Sequence, residues 1–280
     1  MNSFNIKRFC KTFRWFFSMN LRSLLMWTGG FTVAIFLTGM MIFFFNPNNP
    51  HAALSLIAQF DDIFIIIGLL ASTCTFLSDF NKKPKREAFL MLPGSNLEKF
   101  LSAVIYVVIV FAFALLLSVV LGDTLRMVFR SLAYGDEWMS AIPKVAKGVI
   151  PNIMLNDGSH VYSLSYKVMN MIVGCSFILW FHSLYTLGGT LFRKYAFVIT
   201  TVVMISFMMV LSWVINHLDF SMFTSQWDGN AYVGEEVGVV AYVLAVVLPL
   251  LSIFNYWASF HIFKGYQLIT NKWTNYDFLK

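Results

Sequence analysis

Long apolar runs separated by short charged segments dominate this chain. A membrane-spanning helix needs about 20 mostly apolar residues, because a helix rises about 1.5 Å per residue and the hydrocarbon layer is about 30 Å thick. Six runs meet this length: 24–45, 56–78, 101–121, 168–190, 196–217 and 237–262. Only the second contains charged residues, Asp61 and Asp62, near its start. The pattern predicts an all-α integral membrane protein with six transmembrane helices.

Composition supports the same fold class. Hydrophobic residues make up 58% of the 280 residues and charged residues 12%, whereas soluble domains carry about 25% charged residues. A soluble or disordered chain is therefore excluded. The three cysteines, Cys10, Cys74 and Cys175, are far apart in sequence, so they indicate neither a disulfide framework nor a CxxC metal pair.

The distribution of charge predicts the orientation. Six spans place both termini on one side of the membrane. With that side inside, 15 of the 20 Lys and Arg residues are cytoplasmic and ten of the 14 acidic residues are outside. This positive-inside bias predicts a multi-pass protein of a bacterial cytoplasmic (inner) membrane with both termini cytoplasmic. The net charge of +6 then reflects orientation and attraction to anionic lipid, and gives no support to nucleic-acid binding.

The N-terminal segment 1–22 has an amphipathic pattern. Apolar residues recur at helical spacing on one face, and basic residues lie on the other: Ile6, Phe9, Phe13, Phe16 and Phe17 against Lys7, Lys11 and Arg14. Such a helix lies in the membrane interface. It serves either as an elbow that docks a cytoplasmic partner or as a plain interfacial anchor. The six-span domain then covers 23–263, and 264–280 form a cytoplasmic tail.

The cytoplasmic segment 79–100 carries the most specific local signals. Pro84 breaks the helix that leaves the membrane, and Pro93–Gly94 ends a short helix that begins near Arg86. Ser95 is followed three residues later by Glu98, which predicts a capping box at the start of the third span. The four apolar residues 89–92 are expected to be exposed, either for another protein to cover or to dip into the membrane interface.

This segment, FLMLPGSNLEKFLS after a basic run, resembles the cytoplasmic stretch after the second span in permeases of the type-2 ABC exporter class. It is most similar to single-domain permeases of the Bacteroides group, and the late stretch LGGTLFRKYAF at 187–197 fits the same class. The resemblance implies a coupling loop that binds an ABC ATPase subunit. It places that role on Arg86, Glu87, Phe89, Leu92, Glu98 and Lys99. It also implies a second permease copy or a homologue as a partner.

The long outer loop departs from this family. The resemblance implies a large outer element between the last two spans, but residues 218–236 are short and the long segment is 122–167. Leu125, Val128, Phe129 and Leu132 form an apolar stripe within it, so part of the loop is expected to lie on the outer membrane surface. It is either a lid that guides substrate or a structured connector.

The sequence lacks the common catalytic motifs. It contains no Gly-Lys pair and therefore no Walker A loop, no HExxH and no GxSxG. No two of the five histidines are spaced for metal binding. We therefore expect no enzyme activity, metal or cofactor in this chain, and expect ATP and Mg²⁺ to act through the partner ATPase.

A few polar residues within the spans are candidates for a translocation path: Asp61, Asp62, His182 and Asn255. His182 either lines such a path or hydrogen-bonds a neighbouring helix. The two aspartates either cap the second helix at the outer interface or, if that helix starts near Leu54, lie inside the membrane beside an aqueous cavity. The sequence predicts a permease subunit of an ATP-driven exporter. The alternative is a stand-alone membrane scaffold or an ion-coupled carrier.

Overall fold

The computed structural model describes residues 4–47, 49–78, 83–135, 138–149, 164–217, 223–228, 231–265 and residue 274. The described residues leave out part of the predicted outer loop 122–167. They also leave out the predicted tail 264–280, except residues 264, 265 and 274.

Helices make up nearly all of the described chain. They are α1 (Ile6–Phe45), α2 (Pro50–Ser78), α3 (Lys83–Leu90), α4 (Asn96–Ile105), a π-helical segment (Tyr106–Phe111), α5 (Ala112–Tyr134), α6 (Ile142–Val149), α7 (Leu164–Leu191), α8 (Ala196–His217) and α9 (Val239–Lys264). The helix from α4 through the π-helical segment to α5 is continuous over Asn96–Tyr134.

Six of the described helices are long and apolar enough to cross a membrane. They correspond to the six predicted runs and confirm an all-α integral membrane protein. The many exposed Leu, Ile, Val and Phe side chains on these helices suit contact with lipid, which removes them from water.

The helix boundaries differ from the predicted ones in three places. α1 runs through residue 22 without a break, so the predicted interfacial segment continues directly into the first span; its location in the interface stays a prediction. α2 begins at Pro50, about two turns earlier than predicted. α5 continues to Tyr134, because the apolar stripe assigned to the outer loop extends the third span as a helix.

The chain forms two compact units. Unit 1 contains residues 1–76 and 87–150, and unit 2 contains residues 77–86 and 151–280. In unit 1, α1 packs along α4 and α5, and its centre is aromatic: the buried Tyr106 ring lies 5.0 Å from Phe16 and 5.2 Å from Phe76. Gly122 of α5 allows close packing on α1, because a β-carbon there would lie 2.7 Å from Ile35 Cγ2.

Unit 2 is built around α7, which packs on α9 and on α8. A short turn joins α7 to α8, and Tyr195 in this turn has a positive φ of 53°. Gly188 of α7 lies directly against Thr200 of α8, where a β-carbon would come 1.8 Å from Thr200 Oγ1. Only glycine permits this approach between the two helices.

A two-stranded antiparallel hairpin lies between α8 and α9, where the sequence pattern had predicted only a short connecting segment. Its strands are β1 (Phe223–Asp228) and β2 (Ala231–Val237), with Phe223 opposite Val237 and Asp228 opposite Ala231. The described parts of the segment between the last two spans, residues 223–228 and 231–237, therefore pair as a hairpin.

Candidate functional site

Three groups of buried polar residues lie between the helices. Two lie at opposite ends of unit 1: the near end, where residues 4–20 meet residues 87–100, and the far end, where residues 39–47 and 49–61 meet residues 122–135 and 138–149. The third lies between α7 and α9 in unit 2.

At the near end, the Glu98 carboxylate joins two helices. The predicted capping box is present: Ser95 Oγ accepts a hydrogen bond from the Glu98 N–H at 3.2 Å, and Glu98 Oε2 accepts one from the Ser95 N–H at 3.0 Å. Glu98 Oε1 also accepts from the N–H of Asn5, the N-cap of α1, at 2.8 Å and from Arg8 Nη2 at 2.9 Å. One buried carboxylate therefore caps α4 and fixes the start of α1 beside it.

Phe89 holds the preceding loop against the same surface. Its side chain is only 2% exposed, its ring centroid lies 6.4 Å from that of Trp15, and Lys99 Nζ lies 5.6 Å from the centroid of the Phe89 ring. The prediction that residues 89–92 form one exposed run is therefore wrong for Phe89, because a phenylalanine at this point completes the packing between α1 and α4.

Most predicted partner-binding residues are not on the surface. Arg86, Phe89, Glu98 and Lys99 are each at most 5% exposed, so a docking protein cannot contact them directly. Glu87 is exposed, Leu92 is half-buried and Met91 is 85% exposed. We define the loop face as Glu87, Ala88, Met91 and Leu92, the accessible part of this segment.

At the far end, Asp123 and Arg126 form an ion pair inside unit 1. Both are at most 2% exposed, and the Arg126 guanidinium donates to Asp123 Oδ1 and, at 2.8 Å, to the Met139 carbonyl. Asp123 Oδ2 accepts from Ser140 Oγ at 2.7 Å and from the Ala141 N–H at 3.2 Å. The pair thus ties residues 138–141 onto α5.

Asp61 lies close enough to this pair for their charges to interact. It is 1% exposed, and its Oδ2 atom is buried and has no hydrogen-bond partner within the described part of the chain. Because α2 begins at Pro50, Asp61 is three turns inside the helix, and the interpretation of Asp61 and Asp62 as an N-terminal cap is wrong. Both lie inside the helix, as the alternative with an earlier helix start requires.

In unit 2, a polar seam joins α7 to α9. His182 Nδ1 lies 2.6 Å from Tyr256 Oη, and Asn255 Nδ2 donates to Ser183 Oγ at 3.0 Å. His182 and Asn255 are each 6% exposed. These bonds confirm that His182 hydrogen-bonds a neighbouring helix, and interhelical bonds of this kind stabilise membrane helix pairs by about 0.6 kcal/mol.

The four predicted path residues therefore fall into two separate groups. His182 and Asn255 belong to the seam of unit 2, whereas Asp61 and Asp62 belong to unit 1. The sequence pattern did not reveal the Asp123–Arg126 pair because the apolar run of the third span ends at residue 121. Their i, i+3 spacing within an uninterrupted apolar stripe was the signal that could have placed them on a helix.

Comparison of the chain with protein-family models, with curated proteins and with solved structures found no match. Within the described residues, no group of three or more His, Cys, Asp or Glu side chains is arranged to hold a metal ion.

Proposed function

We propose that this chain is the transmembrane subunit of an ATP-driven exporter of the ABC type, which works with a separate ATPase subunit and a second permease subunit. The loop face carries the proposal: an exposed methionine beside an exposed glutamate lies at the tip of a loop that buried contacts hold in place. The resemblance of residues 79–102 to coupling loops of that class supports the same assignment by analogy.

The loop is suited to transmit a force from a bound subunit to the spans, because hydrogen bonds within the loop hold its backbone in one conformation. The Met91 N–H donates to the Glu87 carbonyl at 3.1 Å and the Gly94 N–H to the Leu92 carbonyl at 2.8 Å, which closes a tight turn. Glu98 then joins this turn to both α1 and α4. A force on the loop face would therefore displace the starts of the first and third spans, rather than bend the loop.

In this mechanism the ATPase subunit binds ATP and Mg²⁺ and supplies the hydrolysis. Closure of that subunit presses on the loop face from the cytoplasm. The spans attached to the loop tilt, and access to the transport path switches from one leaflet to the other. This assignment includes the cytoplasmic position of both termini and the location in a bacterial inner membrane.

The test is affinity purification of the full-length protein from membranes in mild detergent, with mass spectrometry of whatever co-purifies. A stoichiometric ATPase subunit is expected with the wild type, and Met91→Asp should reduce its recovery at least about tenfold, since a charge buried without a partner in an interface costs more than about 1.4 kcal/mol. Met91→Leu keeps the apolar contact and should retain the ATPase.

A second control separates the loop face from the rest of the near end. Ser18 is exposed on α1, so Ser18→Asp adds the same charge to the same end of the unit and should leave recovery unchanged. Full recovery of the ATPase with Met91→Asp would contradict the assignment of the loop face. Absence of any ATPase, in detergent that preserves a known ABC complex, would contradict the exporter proposal itself.

An ion-coupled carrier remains the second candidate, because one observation favours it. Carriers use buried ionisable residues within their spans, and Asp61, Asp123 and Arg126 form such a group at the far end. A carrier would retain transport in membranes depleted of ATP and respond to an ion gradient, whereas an exporter of the proposed class would stop.

A further inference from the structure

The far end of unit 1 contains more buried negative than positive charge. Asp61 and Asp123 are each 1% exposed and Arg126 is 2% exposed. If both carboxylates are ionised, this buried group carries a net charge of −1. An uncompensated charge in a medium of low polarity is strongly unfavourable, and it is removed by binding a cation or a proton.

The hydrogen bonds identify which carboxylate carries the excess. Asp123 is saturated: it accepts from the Arg126 guanidinium, Ser140 Oγ and the Ala141 N–H. Asp61 Oδ2 is buried and has no partner in the described part of the chain. The charged groups that act on Asp61 are Asp62 on its own helix, and Asp123 and Arg126 on α5. The Arg126 guanidinium donates its hydrogen bonds to Asp123 and to the Met139 carbonyl.

We propose that Asp61 is a proton-binding site, at which Oδ2 holds one proton in the folded protein at neutral pH. The step is the protonation of a carboxylate to a carboxylic acid, so no other reactant is needed. The inference concerns the far end of unit 1 and does not rest on the proposed exporter function.

A proton fits this site better than a metal ion does. Magnesium and calcium take six or more oxygen ligands, and the oxygens of Asp123 already accept hydrogen bonds. Among the described residues, no three acidic, histidine or cysteine side chains lie close enough together to hold a metal ion. A single carboxylate oxygen is sufficient for a proton, and protonation of Asp61 leaves the group of Asp61, Asp123 and Arg126 neutral overall.

Infrared difference spectroscopy of the purified protein tests this inference. An ordinary aspartate, with a pKa of about 3.9, is ionised at neutral pH, so a carboxylic-acid carbonyl band that persists at pH 7 reports an unusual acid. We expect this band in the wild type, its loss in Asp61→Asn, and its retention in Asp62→Asn. Asp62 is the matched control because it is adjacent on α2 and its Oδ1 atom is also buried without a hydrogen-bond partner in the described part of the chain, but its side chain as a whole is only half-buried, whereas that of Asp61 is 1% exposed.

Carbodiimide labelling in native membranes gives a second measurement that needs no variant. Dicyclohexylcarbodiimide is apolar and reacts with protonated carboxylic acids, so peptide mass spectrometry should find it on Asp61 in preference to Asp62. The labelling should fall as the pH is raised. Labelling equal at both residues, or a carbonyl band that survives Asp61→Asn, would overturn the inference.

A change in sodium or potassium concentration at fixed pH distinguishes a metal cation from a proton. A proton site predicts the same infrared band and the same labelling in either salt. Loss of the band or of labelling as either salt is raised would show that a metal cation occupies Asp61, and would also overturn the proposal.

Discussion

Glu98 shows how one side chain can fix the arrangement of two helices. Its oxygens accept hydrogen bonds from Asn5, Arg8 and Ser95, and the residue is fully buried. The sequence predicted the local part of this arrangement, because a capping box depends only on residues three apart. It could not predict the bonds from Asn5 and Arg8, which lie 93 and 90 positions away.

Glu98→Ala should destabilise the near end by about 2 kcal/mol, because it leaves buried N–H groups of two helix starts without an acceptor. The measurement is the temperature at which half of the detergent-purified protein aggregates, which should fall by several degrees. Glu87→Ala is the matched control, since Glu87 is exposed on the same loop, and it should leave this temperature unchanged. An equal fall in both variants would contradict the role given to Glu98.

A proton on Asp61 has a consequence for stability. The folded state then holds one proton more than the unfolded state, in which an ordinary aspartate is ionised. The contribution of Asp61 to the free energy of unfolding must therefore fall as the pH rises. The reason is that the slope of stability against pH follows the difference between the protons bound by the unfolded state and those bound by the folded state.

Replacement of Asp61 by asparagine or alanine should therefore remove this dependence near neutral pH. The aggregation temperature of the wild type should fall between pH 6 and pH 9, and that of Asp61→Asn and Asp61→Ala should stay flat by comparison. Asp62→Asn should keep the pH dependence, shifted to lower pH because the variant removes one negative charge beside Asp61. Identical pH profiles for all four proteins would count against the proton site.

The number and approximate position of the helices could be predicted from the sequence, but their exact ends and the contacts between them could not. The six long runs fixed the number and approximate position of the spans, because their length and apolar composition are local properties. The start of α2 was placed too late because Pro50, His51 and Ser55 lie outside the continuous apolar run. The end of α5 was placed too early because Asp123 and Arg126 end the run of uncharged residues, although the apolar face of the helix continues past them. These two charges are accommodated by one another inside unit 1, which a reading of the apolar runs alone does not reveal.

The contact between α7 and α8 depends on Gly188. Gly188→Ala places a methyl group 1.8 Å from Thr200 Oγ1 and 2.9 Å from Thr200 Cβ, so the helices must separate, at a cost of about 1–3 kcal/mol. Gly174→Ala, on the same helix with no atom near its β-carbon, should be neutral or slightly stabilising. Aggregation temperatures of the two variants test this difference, and equal temperatures would contradict it.

The orientation of the whole molecule rests on charge distribution and can be measured with thiols. Cys10 is exposed on α1, Cys74 is buried, and Cys175 lies within the apolar span formed by α7. If the termini are cytoplasmic, an impermeant maleimide should label intact spheroplasts poorly and should label Cys10 once the membrane is opened. Cys10→Ser should remove that labelling.

A cysteine at the opposite end provides the complementary result. His51 is exposed at the far end, so the double variant Cys10→Ser, His51→Cys should react in intact spheroplasts. Labelling of Cys10 before the membrane is opened, with protection of His51→Cys, would reverse the predicted topology.

α1 has the geometry of a lever. It is 40 residues long, or about 60 Å. Near its middle the Thr28 carbonyl accepts from Ser118 Oγ at 3.1 Å, and Trp27 packs edge-on against Phe111. With this contact as the pivot, a rotation of about 5° would move the start of α1 by about 3 Å and its end by about 2 Å. The start of α1 lies beside Glu98, and Gly39 of α1 packs against Arg126. A displacement of α1 at the near end would therefore move it in the opposite direction beside the buried charges of the far end.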